Sequence, residues 1–119
     1  MSIIGIGTDI IEISRFEKKQ SPGFMARVFS TYEAAYLAEK PPQSMAGLFA
    51  AKEAVAKALG TGFAGFSPWE IEIRHDAQGK PLIKLHKKAL GIATAQGIKT
   101  IHISISHNQD SAIAFAIAE

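Results

Sequence analysis

Three features of the 119-residue sequence predict an α+β fold, a single small domain (1–119) in which a mostly antiparallel sheet packs against a long central helix. Ser44 to Gly62, SMAGLFAAKEAVAKALGTG, is an alanine-rich helical pattern. After it come two pairs of alternating apolar segments, each pair joined by turn residues. Before it stand one short alternating segment and three helix-start signals. Strands and helices are thus segregated rather than interleaved as βαβ units.

In chain order, Ser2 to Thr8 reads as a strand in which Ile4 and Ile6 alternate with small residues, and Asp9 falls at its end. Gly5 and Gly7 weaken that strand and mark a place where another backbone comes close. Ser14 to Glu17 has capping-box spacing and starts a short helix. Ser21-Pro22 starts a second, and Ser30 with Glu33 starts a third that runs to about Glu39. In the central helix, Ser44 is the expected N-cap and Gly60 the left-handed closing residue. Met45, Leu48, Phe49, Val55, Ala56 and Leu59 form its apolar stripe. Beyond the loop Thr61 to Ser67, Trp69, Ile71 and Ile73 alternate with Glu70, Glu72 and Arg74, the pattern of a half-exposed strand. Asp76 to Gly79 turns the chain into a second strand, Pro81 to Leu85. A helix over Lys87 to Gln96 ends at Gly97. The last hairpin pairs a strand around Ile101, Ile103 and Ile105 with Ala112 to Ala118, turning at His107 to Ser111.

Composition removes several classes of function. With 47% hydrophobic and 20% charged residues, the chain reads as globular. It has no cysteine, so disulfides and thiol chemistry are out. The first ten residues lack the basic and apolar regions of a secretory signal, and no segment approaches the ~20 apolar residues of a membrane span, so a cytoplasmic location is expected. A net charge of +2 and a pI near 9.0 suit a phosphate ligand or an acidic partner. Neither an arginine-rich run nor an aromatic ladder points to nucleic acid.

Polar residues stand where burial is expected at three places: Asp9, the Lys52/Glu53/Lys57 cluster, and Ser106-His107. Lys52 lies in the middle of the apolar stripe. Its ordinary reading is a stem packed on the core with the ammonium in water, and Glu53–Lys57 reads ordinarily as a surface pair worth about 0.2–0.5 kcal/mol. The sharper reading is that Lys52, Glu53 and Lys57 border a site for a cation and phosphates. Two carboxylates suit magnesium, which keeps few protein ligands, and lysines suit charge on phosphate oxygens. No zinc-ligand spacing, nucleophile elbow or Walker-type loop is present.

GIGTDI (Gly5 to Ile10), FAAKEAVAKALGTG (Phe49 to Gly62) and SISHNQDSAIA (Ser104 to Ala114) resemble, in order and spacing, the bacterial holo-acyl-carrier-protein synthases, which are small 4'-phosphopantetheinyl transferases. The resemblance runs from Ile3 to about Ile117. It implies transfer of the 4'-phosphopantetheine arm of coenzyme A to a serine of apo acyl carrier protein, with Mg2+ as cofactor, in fatty acid biosynthesis. It also implies Asp9 and Glu53 as metal ligands, with Asp9, Glu53 and Lys57 catalytic. Coenzyme A contacts fall to Lys52, Lys57, Gly60 and His107, and docking of the acidic carrier to Arg15 and Arg27, with Lys18 beside them. The general base is left between Glu53 and a metal-bound water. A homotrimer is implied, with His107 of one chain completing the neighbour's site. The sequence departs from the family at Leu48, where many members carry a basic residue. The alternative reading is a non-catalytic module binding coenzyme A or an acidic protein.

Overall fold

The computed structural model describes residues 2–119. Its centre is a contact almost free of side chains between strand β1 (Gly5–Glu12) and helix α3 (Pro42–Leu59). A Cβ on Gly5 would stand 1.9 Å from the Ala58 carbonyl oxygen, and one on Gly7 would stand 2.0 Å from that of Ala54. Only glycine permits this approach, and the two backbones touch as a result. Alanine completes the contact from the neighbouring strand β5 (Ser111–Ala118), whose Ala112, Ala114, Ala116 and Ala118 are buried under the helix.

Strand β5 lies in the middle of an antiparallel three-stranded sheet, between β1 and β4 (Ile101–His107). Gly5 is paired with Ala118, Asp9 with Ala114 and Ile11 with Ala112. On the other side, Ile105 is opposite Ala114 and His107 opposite Ala112. Strands β2 (Ile71–His75) and β3 (Pro81–Leu85) form a separate antiparallel hairpin. Short helices α1 (Pro22–Val28) and α2 (Thr31–Leu37) precede α3, and α4 (Lys87–Ala95) connects the hairpin to β4. The α+β expectation is met, with the antiparallel strands divided between two sheets.

Local signals placed most helix ends. The Ser21 side chain accepts from Phe24 N–H, and Ser30 and Glu33 make both bonds of a capping box. Gly60 closes α3 with φ 80°. The start of α3 differs from expectation: Pro42, not Ser44, opens it, and Ser44 lies within the first turn. Proline has no N–H to leave unpaired there, so the helix gains three residues, Pro42, Gln43 and Ser44. Ile13–Phe16 is a single 3-10 turn rather than a helix. β1 begins at Gly5 and runs to Glu12, which puts Asp9 inside the strand, not at its end.

The hairpin's first strand is also corrected. Trp69 sits in a 3-10 turn (Pro68–Glu70), and Glu70 and Glu72 are buried. Each has donors that replace water. Glu70 accepts from Ser67, Lys88 and Ala89 N–H groups and thereby caps α4. Glu72 accepts from Ser30 Oγ and Arg74 Nε and bonds His86 Nε2. The alternating charges of this strand are therefore an internal polar layer and not a wet face.

Candidate active site

On α3, residues 53 and 57 are one turn apart and point to the same side. The glycine contact brings that side over β1, where Asp9 projects toward the helix in the same row as Gly5, Gly7 and Ile11. Lys57 Nζ donates to Asp9 Oδ1 at 3.0 Å and to the Thr8 carbonyl at 2.9 Å. The Asp9 side chain is mostly covered, whereas half of the Lys57 side chain is exposed. Burial, then the charge of Asp9, raises Glu53 above the usual glutamate range, while Lys57 and Arg15 pull it back. Asp9, Glu53 and Lys57 are thus assembled as one cluster, with Arg15 at its edge.

Asp9 Oδ2 is buried and has no hydrogen-bond partner among the described residues. A buried carboxylate oxygen without a donor is costly, at about 1–3 kcal/mol or more, and implies a ligand when it faces a site. Two carboxylates share the space with one lysine, so negative charge is in excess. Oxygen donors, incomplete pairing and open access fit a magnesium ion that keeps waters and phosphate oxygens in its shell. Asp9 and Glu53 are the two carboxylates of the cluster that could hold one.

Lys52 is not part of this cluster. It is fully buried on the other side of α3, with Nζ 2.7 and 2.8 Å from the two Glu33 oxygens. It also donates to the carbonyls of Pro68 and Ile71. Burial lowers its pKa from the lysine value, against the charge and hydrogen bonds of Glu33 and the charge of Glu72. With every proton of its ammonium bonded inside the core, Lys52 cannot meet a phosphate, and both the coenzyme A contact and the snorkelling reading are corrected.

His107 is also apart from the cluster within this chain. It lines a cavity with Gln43, Ser44, Gly47 and Leu48 at the beginning of α3. Ser44 precedes Glu53 by nine residues, about 13 Å of helix. His75 lines the same cavity, and its Nδ1 is buried without a partner. Sequence reading missed His75 because a strand-end histidine between Arg74 and Asp76 carries no local signal. Gly60, at the end of α3, leaves room beyond Lys57: a Cβ there meets nothing within 4 Å, so its role is the φ of 80°. Arg15 lies over the rings of Phe16 and Phe49, and Arg27 over Phe24, which holds both cations on one aromatic surface.

Residues 5–116 match the 4'-phosphopantetheinyl transferase superfamily. The holo-[acyl-carrier-protein] synthase of Alkaliphilus metalliredigens is 50% identical over 120 residues, covering 98% of each chain. Among solved structures, the Neisseria meningitidis holo-[acyl-carrier-protein] synthase superposes with a TM-score of 0.89 at 39% identity over 99% of both chains. The Helicobacter pylori synthase, solved in complex with coenzyme A, gives 0.84 at 35% identity, covering 96% of this chain and 99% of that one. The chain belongs to the 4'-phosphopantetheinyl transferase superfamily. Within it, the chain is an enzyme of the holo-acyl-carrier-protein synthase family, and the non-catalytic alternative is set aside.

Proposed function

We propose that this enzyme transfers the 4'-phosphopantetheine arm of coenzyme A to a serine hydroxyl of apo acyl carrier protein, using magnesium and releasing 3',5'-ADP. Fatty acid biosynthesis in the cytoplasm is the setting this reading gives it. The observation that carries the reading is the buried, unpartnered Asp9 Oδ2 beside Glu53. A pure anion binder gains nothing from two carboxylates placed against phosphates.

When bound by Asp9 and Glu53, magnesium supplies neutralisation of the diphosphate charge. The Lys57 ammonium donates to the Thr8 carbonyl and to Asp9 Oδ1, and on its half-exposed side it can meet oxygen on which charge develops. The serine oxygen bonds to the β-phosphorus, the bond from that phosphorus to the bridging oxygen breaks, and the electron pair leaves with 3',5'-ADP. Of the chain's own groups near the cluster, Glu53 is the carboxylate placed to receive the serine proton, directly or through a water. His75 and His107 flank Leu48 in one cavity. His75 Nδ1 has no partner among the described residues, and this imidazole is the group proposed to meet the phosphate where Leu48 supplies no cation.

A homotrimer with shared sites accounts for two further facts. The sheet face turned away from α3 exposes Ile6 (60%), Ile10 (66%), Ile113 (44%) and Phe115 (44%). A contiguous patch of this kind marks a contact with another chain. His107 is far along α3 from its own Asp9 cluster, and a neighbour's copy can stand closer. Arg15 and Arg27 serve an acidic carrier on the aromatic surface of α1. The test of the transfer is direct. Incubation with apo carrier, coenzyme A and magnesium should raise the carrier's mass by one phosphopantetheine arm, and a chelator should prevent it. A carrier of unchanged mass overturns the reading.

A further inference from the structure

The contact of α3 with the middle of β1 and β5 has little relief, with Ile11 and the Ile105 side chain on Gly47 at its margin. Ala54 and Ala58 of the helix meet Gly5 and Gly7, and Ala112, Ala114 and Ala116 lie beside them. Helices are held in axial position by large side chains seated between those of a neighbour. Glycine and alanine offer almost none, so this face by itself sets the distance of α3 from β1 better than its rotation or its position along the axis. Yet Glu53 and Lys57 must stand opposite Asp9.

The opposite side of the helix has what the sheet side lacks. Lys52 is adjacent to Glu53, and its fully buried ammonium is fixed by four acceptors on three other elements, α2, the Pro68–Glu70 turn and β2. Glu33 in α2 is equally buried, and its carboxylate also accepts from the Ser30 and Ile73 N–H groups. The pair therefore joins α2, α3 and the start of β2 through directional bonds. A buried ion pair is weak as a source of net stability, since an apolar pair of similar volume often does as well. Its best attested use is to fix one register among several of similar energy.

We propose that Lys52 is a positioning residue: with Glu33 it pins the rotation and axial register of α3, so that Glu53 and Lys57 meet Asp9 across the smooth glycine–alanine contact. Lys52 touches no substrate and acts through its neighbour in the chain. The inference rests on the transferase reading given above. Misplacement by about 1 Å suffices to slow a reaction of this kind by up to about 100-fold.

The test replaces the pair by neutral residues of similar size, Lys52→Met with Glu33→Gln, and measures thermal unfolding and transfer kinetics on the same preparations. Wild-type enzyme must first label the carrier, and its failure to do so would defeat the transferase reading and not this one. The double variant should unfold cooperatively near the wild-type temperature. Its kcat should fall at least about tenfold, with KM for coenzyme A and for carrier each within about twofold of wild type. A folded double variant with wild-type kcat overturns the proposal, and so does a loss of kcat that merely follows the unfolded fraction on warming. Should the double variant not fold, Glu33→Gln alone decides. It keeps Lys52 and both of its carbonyl bonds, and it should lose at least about threefold in kcat at unchanged KM. Wild-type kcat in that variant overturns the proposal equally.

Discussion

Helix α3 carries a polar cluster on each of two sides, and the two are built oppositely. Around Lys52, Glu33 and Glu72, every charge is matched: carboxylate oxygens have donors, the ammonium has acceptors, and the side chains are closed to water. Around Asp9, Glu53 and Lys57, one buried oxygen has no partner among the described residues, one carboxylate is raised by burial and then by its neighbour's charge, and the lysine is half in solvent. Both clusters combine acidic residues with lysine. Completeness of pairing, not residue type, separates the part that holds the fold from the part that awaits a ligand.

The largest contrast should come from removing one member of each cluster. Asp9→Ala and Glu53→Ala are expected to abolish transfer, by about 1000-fold or more, while urea unfolding stays within about 1 kcal/mol of wild type. Glu53→Gln should be nearly as damaging, because shape without charge does not hold the cation. Retention of near-normal rates at limiting magnesium by both alanine variants would break the comparison on this side. Complementation comes next. Asp9→Ala and His107→Ala chains, each impaired alone, should regain activity when unfolded together and reassembled, since some interfaces then join an intact carboxylate set to an intact histidine. Mixed assemblies that stay inactive despite proven subunit exchange would exclude the shared site.

On the satisfied side the effects belong to stability. Lys52→Met alone leaves Glu33 buried with a charge and no counterion, and should cost about 3–5 kcal/mol by urea denaturation. A cost below about 1 kcal/mol would show that Glu33 takes up a proton or reaches water. Glu72 gives the pH arm. Burial raises its pKa, but hydrogen bonds from Ser30, Arg74 and His86 overcome this and lower it to about 2. A carboxylate with a lowered folded pKa adds stability above its unfolded value near 4.5 and loses it as pH falls toward about 2. Glu72→Gln should therefore flatten the acid limb of the stability profile in that window, by roughly 3 kcal/mol at most. An unaltered acid limb would remove Glu72 from the satisfied set. The smallest effect concerns the rim. Arg15→Glu should raise the carrier KM several-fold with kcat little changed, and salt should erode the wild-type rate more than the variant's. A carrier dependence identical to wild type would leave Arg15 as a solvated charge.

What the sequence disclosed was local in origin. Helix caps at Ser21, Ser30 and Gly60, the hairpin turn at Asp76 to Gly79 and the alternation of β5 each depend on residues a few positions apart, and each appears where expected. Glu53 and Lys57 were legible as a pair from their i, i+4 spacing, but Asp9 joined them only through the family resemblance: Gly5 and Gly7 signal close approach without saying which backbone comes close. Lys52 was misplaced because periodicity shows that a residue lies on the buried side but not which distant carboxylate will meet it. Glu33 looked like a capping residue, and it is one, but nothing nearby in sequence tells that its other oxygen serves Lys52 and Ile73. Glu70 and Glu72 misled for the same reason. Apart from Ser67 and Arg74 close by, their partners come from 14 to 42 positions away, at His86, Lys88, Ala89 and Ser30.

The pairing of β1 with β5 sets a timetable for folding. Gly5 finds its hydrogen-bonded neighbour at Ala118, 113 residues on (118 − 5), and β1 has no other strand beside it. At a synthesis rate of about 5–20 residues per second, β1 waits roughly 6–20 s between emergence and the arrival of its mate. Meanwhile α3 can form from local signals, yet its alanine face has only half of its cover. Closing so long a loop late makes the active cluster one of the last things to exist: Asp9 is fixed in place only when Ala114 has been made. A nascent chain thus acquires its chemistry almost at the moment it acquires its sheet, and partially made copies carry neither.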